Sequence, residues 1–293
     1  MFKGSIPALV TPMRDDGSID FGAWDTVLDF HLREGTDGVV VGGTTGESPV
    51  LERAELEELV RRAKGRLGGR IPVIAGSGTN GTARSIALSK AAEAAGADAL
   101  LVVTPYYNKP TQEGLFRHFT AIADAASIPV ILYNVPGRTG CDMLADTIAR
   151  LSHHPRIVGV KEATGDISRG EAVLQQSRPG FLLLSGDDPT AAELIRIGAK
   201  GVISVTANVA ARAMHDLCAA GLEGRHHDAA AINERLIPLH KALFVESNPI
   251  PVKWAVQRLG LIGRGIRLPL TPLSERLHAT VAAAMTAAGL DLR

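Results

Sequence analysis

Lysine is rarely buried without a partner or a task. Of the eight lysines in this chain, Lys161 alone lies within an apolar run of strand character, 157–162, near the end of that run. Burial of an amine disfavours its ammonium form. A neutral amine can attack a ketone and form a Schiff base. The competing reading is a buried ion pair with Glu162, but consecutive strand residues point to opposite faces. The chain has three tyrosines, Tyr106, Tyr107 and Tyr133, and all follow or end apolar runs. A phenol there can pass protons if its hydroxyl is hydrogen-bonded. Thr44 and Thr45 lie in Gly42-Gly43-Thr44-Thr45-Gly46-Glu47-Ser48. Hydroxyls and amides in such a turn can hold a carboxylate, although the same turn also suits a helix cap. Arg138 follows Val135-Pro136-Gly137. Its guanidinium could clamp a carboxylate bidentately, although a loop arginine more often makes a surface ion pair.

Other motifs are weaker. Gly76-Ser77-Gly78-Thr79-Asn80-Gly81 matches G-x-G-x-x-G, but the ribose-binding acid expected at the end of the next strand is missing. A tight turn between strand and helix is the better reading. His153-His154 and His226-His227-Asp228 lack metal-ligand spacing, so no metal is expected. Asp187-Asp188 after the seventh apolar run would repel phosphate, which favours a non-phosphorylated substrate.

The elements that must position these residues follow from periodicity. Nearly continuous apolar runs at 5–11, 38–43, 72–76, 99–105, 129–134, 157–162, 181–186 and 201–206 read as strands of a parallel sheet buried on both faces. Segments 52–67, 82–95 and 112–126 carry helical spacing between them. Eight such units predict a (β/α)8 TIM barrel rather than an open doubly wound sheet. The expected barrel spans 1–223, and 224–293 is expected to form a helical C-terminal appendage. Catalytic groups then belong at the C-terminal strand ends, where Lys161, Tyr133, Thr44, Thr45 and Arg138 all fall.

Composition agrees with an enzyme of this size. The 293 residues carry 31 basic and 31 acidic side chains, which leaves no electrostatic footprint for nucleic acid. Two distant cysteines give no disulfide framework. No run is long enough for a membrane span. The N-terminus is a poor signal peptide, so a cytoplasmic location is expected.

Taken together, Gly43-Thr44-Thr45-Gly46-Glu47-Ser48, Tyr106-Tyr107-Asn108, Tyr133-Asn134-Val135-Pro136-Gly137-Arg138-Thr139 and Val160-Lys161-Glu162-Ala163 resemble the dihydrodipicolinate synthase family. That family belongs to the pyruvate-dependent class I aldolases, with N-acetylneuraminate lyase. The resemblance covers essentially the whole chain, with four motifs in order. It implies a lyase of lysine and diaminopimelate biosynthesis that condenses pyruvate with aspartate semialdehyde to 4-hydroxy-tetrahydrodipicolinate. Lys161 would form the Schiff base. Tyr133 would relay protons, and Thr44 would bridge it to a neighbouring subunit's residue matching Tyr107. Thr45 would hold the pyruvate carboxylate and Arg138 that of the semialdehyde, with further contacts near Gly186 and Ile203. No cofactor is implied, and the assembly would be a homotetramer, a dimer of dimers. Ser48, Asn80 and Tyr106 match a pocket where many family members bind inhibitory lysine. Arg53, Leu56 and Arg84 depart from it, and weak or absent inhibition is expected. The alternatives are another pyruvate-dependent aldolase, such as an N-acetylneuraminate or 2-keto-3-deoxy sugar acid lyase, and a non-catalytic pyruvate-binding paralogue.

Overall fold

The apolar runs form eight strands, all parallel, in the order β1-β8-β7-β6-β5-β4-β3-β2. The computed structural model describes residues 2–292. Along the chain come β1 (Gly4–Pro7), α1 (Phe21–Arg33), β2 (Val39–Val41), α2 (Arg53–Leu67), β3 (Val73–Gly76), α3 (Thr82–Ala94), β4 (Ala99–Val103) and α4 (Gln112–Ala125). There follow β5 (Val130–Asn134), the short α5 (Pro136–Thr139), α6 (Ala145–Ser152), β6 (Ile157–Glu162), α7 (Ile167–Gln176), β7 (Leu182–Ser185), α8 (Ala191–Ile197) and β8 (Gly201–Ser204). Helices α9 (Ala211–Leu222), α10 (His226–Ala242), α11 (Ile250–Arg258) and α12 (Glu275–Ala287) complete the fold. Just past β1, Ala8 bridges Val40 in parallel, and the Leu9 amide donates to the Val40 carbonyl at 2.9 Å. That contact brings β1 onto β2 and makes a barrel, not an open sheet.

Strand alternation divides the buried residues into two cores. Ile6, Val40, Ile74, Leu101, Ile131, Tyr133, Leu184 and Ile203 fill the barrel interior. Val39, Val41, Leu100, Val102, Val130, Leu132, Val160 and Leu183 face the helices. The outer core runs on into the C-terminal helices through Leu236, Leu239, Val252, Val256 and Val281. Parallel strands covered by helices must be apolar on both faces, which is why the sequence showed runs instead of alternation.

Several strands end earlier than the runs suggested. Past Pro7 the ladder thins to the bonds of Ala8 and Leu9, and a side chain takes the next ones. Asn208 Nδ2 donates to the Ala8 carbonyl at 2.8 Å, and its Oδ1 accepts from the Val10 amide at 3.0 Å. Likewise the eighth run passes into a 3-10 turn at Thr206–Asn208.

Inside α1, His31 is fully buried. Its Nδ1 meets the Thr36 hydroxyl at 3.0 Å, and burial pushes its pKa down to about 3. Between that value and the ordinary histidine pKa the unfolded chain binds the extra proton, so stability is full above the ordinary pKa and falls with acidification. The expected loss from pH 7 to pH 5 is about 2 kcal/mol from this residue. Urea unfolding at the two pH values measures it, and His31→Gln is expected to show a correspondingly smaller loss.

Candidate active site

Register places the central pair. Tyr133 on β5 lies directly opposite Lys161 on β6, and Lys161 opposite Leu184 on β7. Both side chains enter the barrel near its C-terminal end. The Lys161 Nζ stands 4.2 Å from the centre of the Tyr133 ring. Lys161 is 5 % exposed. Of the two buried lysines, Lys253 is paired with Glu47, whereas Lys161 has no carboxylate partner among the described residues.

Glu162 faces the other way, as strand geometry requires. Its Oε2 accepts from Asn134 Nδ2 at 3.1 Å and its Oε1 from the Thr164 amide at 2.8 Å. Burial raises its carboxyl above the usual carboxylate range, against those hydrogen bonds. Asn134 Nδ2 also donates to Asp142 at 2.9 Å, which Arg169 grips with two bonds of 2.8 Å. The Arg169 guanidinium holds the Asp142 carboxyl below its usual range. This network braces the ends of β5 and β6 from behind.

Room for the lysine comes from Gly186. A Cβ there would lie 3.0 Å from both Cγ and Cε of Lys161, and 2.6 Å from the Ala163 Cβ. The Gly186 amide is itself committed to the Glu162 carbonyl at 2.7 Å. Ile203 is buried in the barrel interior on β8.

Thr44 and Thr45 follow β2 in a turn tied by the Gly46 amide to the Gly43 carbonyl and the Glu47 amide to the Thr44 carbonyl. Glu47 takes a left-handed backbone, φ 61°, and is buried. Its carboxylate meets Lys253 of α11 and accepts from the Arg267 amide at 3.0 Å. Burial disfavours the Lys253 ammonium, and the Glu47 carboxylate opposes that effect. Asn248 lies just before α11. Its Nδ2 donates to Thr45 Oγ1 at 3.0 Å, and its carbonyl accepts from Arg138 Nη2 at 3.3 Å. Arg138 makes no ion pair among the described residues, so the surface-pair reading is not realised.

A cavity of about 480 Å³ opens beside this turn, lined by Thr44, Ser48, Thr79, Arg84, Tyr106 and Arg138 among others. Arg53 and Leu56 also line it. Asn80 does not; its carbonyl accepts from Asn108 at 2.8 Å nearby. Tyr107 is 89 % exposed, with φ 73°, and so does not join Thr44 and Tyr133 within the chain. The glycines of the G-x-G-x-x-G match serve close packing. A Cβ on Gly76 would lie 2.1 Å from the Gly42 carbonyl oxygen, and one on Gly78 2.3 Å from the Val103 amide nitrogen.

Glu47, Asn248 and Lys253 were not singled out from the sequence. Lys253 had a signal: it stands in the apolar run Ile250-Pro251-Val252-Lys253-Trp254-Ala255-Val256, where a charge needs a partner. Nothing local pointed to Glu47 or Asn248.

Eight parallel strands, flanking helices and reactive side chains gathered at the C-terminal strand ends define a (β/α)8-barrel enzyme. A model of the "Dihydrodipicolinate synthetase family" matches residues 1–288, and the chain belongs to that family. The 4-hydroxy-tetrahydrodipicolinate synthase of Stutzerimonas stutzeri is 58% identical over 290 residues, 99% of each chain. That of Pseudomonas aeruginosa is 57% identical, with the same coverage. A crystal structure of the chloride-inhibited dihydrodipicolinate synthase from Acinetobacter baumannii, complexed with pyruvate, superposes with a TM-score of 0.98. It is 48% identical and covers 99% of this chain and 100% of its own.

Removing one member of a buried ion pair leaves the other charge uncompensated. Lys253→Met is therefore expected to cost about 3–5 kcal/mol in denaturant unfolding. Pairing it with Glu47→Gln is expected to recover most of that loss.

Proposed function

We propose that this chain is a 4-hydroxy-tetrahydrodipicolinate synthase acting through a Schiff base on Lys161. The observation that carries the mechanism is a buried lysine without a carboxylate partner among the described residues, facing a tyrosine inside the barrel. The neutral amine attacks the pyruvate ketone carbon, and water leaves to give a protonated imine. That imine is an electron sink, so a methyl proton departs and an enamine forms. The enamine carbon attacks the aldehyde of aspartate semialdehyde, whose oxygen takes a proton and becomes a hydroxyl. The substrate's own amine then attacks the imine carbon, expels Lys161 and closes the ring. One water is released overall, and the amine supplies the electron sink without metal or organic cofactor.

Tyr133 is the proton carrier in this scheme, and Thr44 is its proposed partner in the relay. Thr45 holds the pyruvate carboxylate. Arg138, a permanent cation with no acidic partner among the described residues, holds that of the semialdehyde. Gly186 and Ile203 shape the pyruvate end. Tyr107 is proposed to complete the relay of a second copy, because its ring projects from the chain on a left-handed residue. That arrangement needs a dimer, and a homotetramer built of two such dimers is proposed. No described helix is long and apolar enough to cross a membrane. The proposed place of action is the cytoplasm, on the route to diaminopimelate and lysine.

Incubation with pyruvate and borohydride, followed by intact mass, tests the mechanism. Wild type is expected to gain one reduced pyruvate, and Lys161→Ala none. Turnover with aspartate semialdehyde is expected to exceed that with N-acetylneuraminate or 2-keto-3-deoxy sugar acids. The reverse order would assign a different aldolase.

Regulation is proposed to differ from that of lysine-sensitive relatives. Arg53 and Arg84 both line the cavity that holds Ser48 and Tyr106, and guanidinium groups repel an ammonium ligand. Submillimolar lysine is expected to leave the rate unchanged in a steady-state assay.

A further inference from the structure

We propose that Asn248 is a positioning residue that fixes which way the Thr45 hydroxyl donates. The proposal rests on the reading of Thr45 as holder of the pyruvate carboxylate. Asn248 and Thr45 are 4 % and 1 % exposed, so neither group trades hydrogen bonds freely with water. A hydroxyl carries one proton and two acceptor lone pairs, whereas a carboxamide nitrogen only donates. The 3.0 Å bond from Asn248 Nδ2 therefore makes Thr45 Oγ1 the acceptor. Its own proton finds no acceptor among the described residues and is directed away from Asn248. A hydroxyl prepared in this way is a donor ready for a carboxylate.

The other polar atom of the side chain, Oδ1, is buried without a partner. A buried unsatisfied acceptor is unfavourable, which indicates that the amide is retained for its donor. An aspartate of the same shape would accept the Thr45 proton and place a negative charge beside the pyruvate carboxylate. The hold on Arg138 is different, because it uses the Asn248 backbone carbonyl and survives a change of side chain. The two substrates should therefore respond differently to substitution at this one position.

The test measures borohydride-trapped adduct against pyruvate concentration, together with steady-state kinetics. Asn248→Asp is expected to raise the half-saturating pyruvate concentration by about tenfold or more, and Asn248→Ala by several-fold, as loss of a donor to a charged ligand implies. The KM for aspartate semialdehyde and kcat are expected to stay within about twofold. On a Thr45→Val background, Asn248→Ala is expected to add no further loss, as required if it acts through Thr45. Circular dichroism establishes that each variant is folded, and if Asn248→Ala is not, the near-isosteric Asn248→Asp carries the test. A folded Asn248→Asp with unshifted pyruvate saturation overturns the proposal. So does an equal rise in both KM values, which would mark a merely structural role. No adduct on the wild type would instead overturn the Schiff-base reading beneath it.

Discussion

The buried pair of Glu47 and Lys253 is the contact on which the geometry of the site depends. It joins the turn after β2, which carries Thr44 and Thr45, to α11, some 200 residues later in the chain. A buried ion pair adds little net stability, because desolvating two charges consumes most of their attraction. What it contributes is direction. Glu47 also takes the Arg267 amide, and Arg267 in turn grips Glu55 of α2 with its guanidinium. The turn is thereby held from behind by charged groups that cannot slide without being left unpaired. Its front is left to the substrate.

The same division into front and back runs through β5 and β6. Tyr133 and Lys161 face inward, and their chain neighbours Asn134 and Glu162 face outward. Inward positions carry the groups proposed to react. Outward positions carry groups that are fully hydrogen-bonded to one another and to Asp142 and Arg169. One register fixes both sets, since a slip by one residue would exchange every side chain between the faces. The lysine proposed to react is placed by a neighbour held through bonds to Asn134 and Thr164.

Much of this was legible in the sequence, for a definite reason. Strands buried on both faces leave unbroken apolar runs, so all eight were visible, and a lysine inside one of them could not be overlooked. The ends of strands were less visible. At Ala8 and Val10 bonds from Asn208 supplement the fading ladder, and no local pattern announces a partner 198 or 200 residues away. The same holds for Asn248 and Glu47. Their identities are ordinary, and only the closed fold shows that each meets a group from the far end of the chain. The site's chemistry is local in sequence, while its alignment is not.

The contacts made by residues 248–267 have a consequence for how the molecule comes into being. Every strand and every group proposed to react has been synthesised by residue 204. Asn248, Lys253 and Arg267, which hold the two elements proposed to bind carboxylates, emerge later. A nascent chain therefore carries Lys161 before the elements proposed to order a substrate are held in place. On the proposed function, competence waits for the late segment to dock.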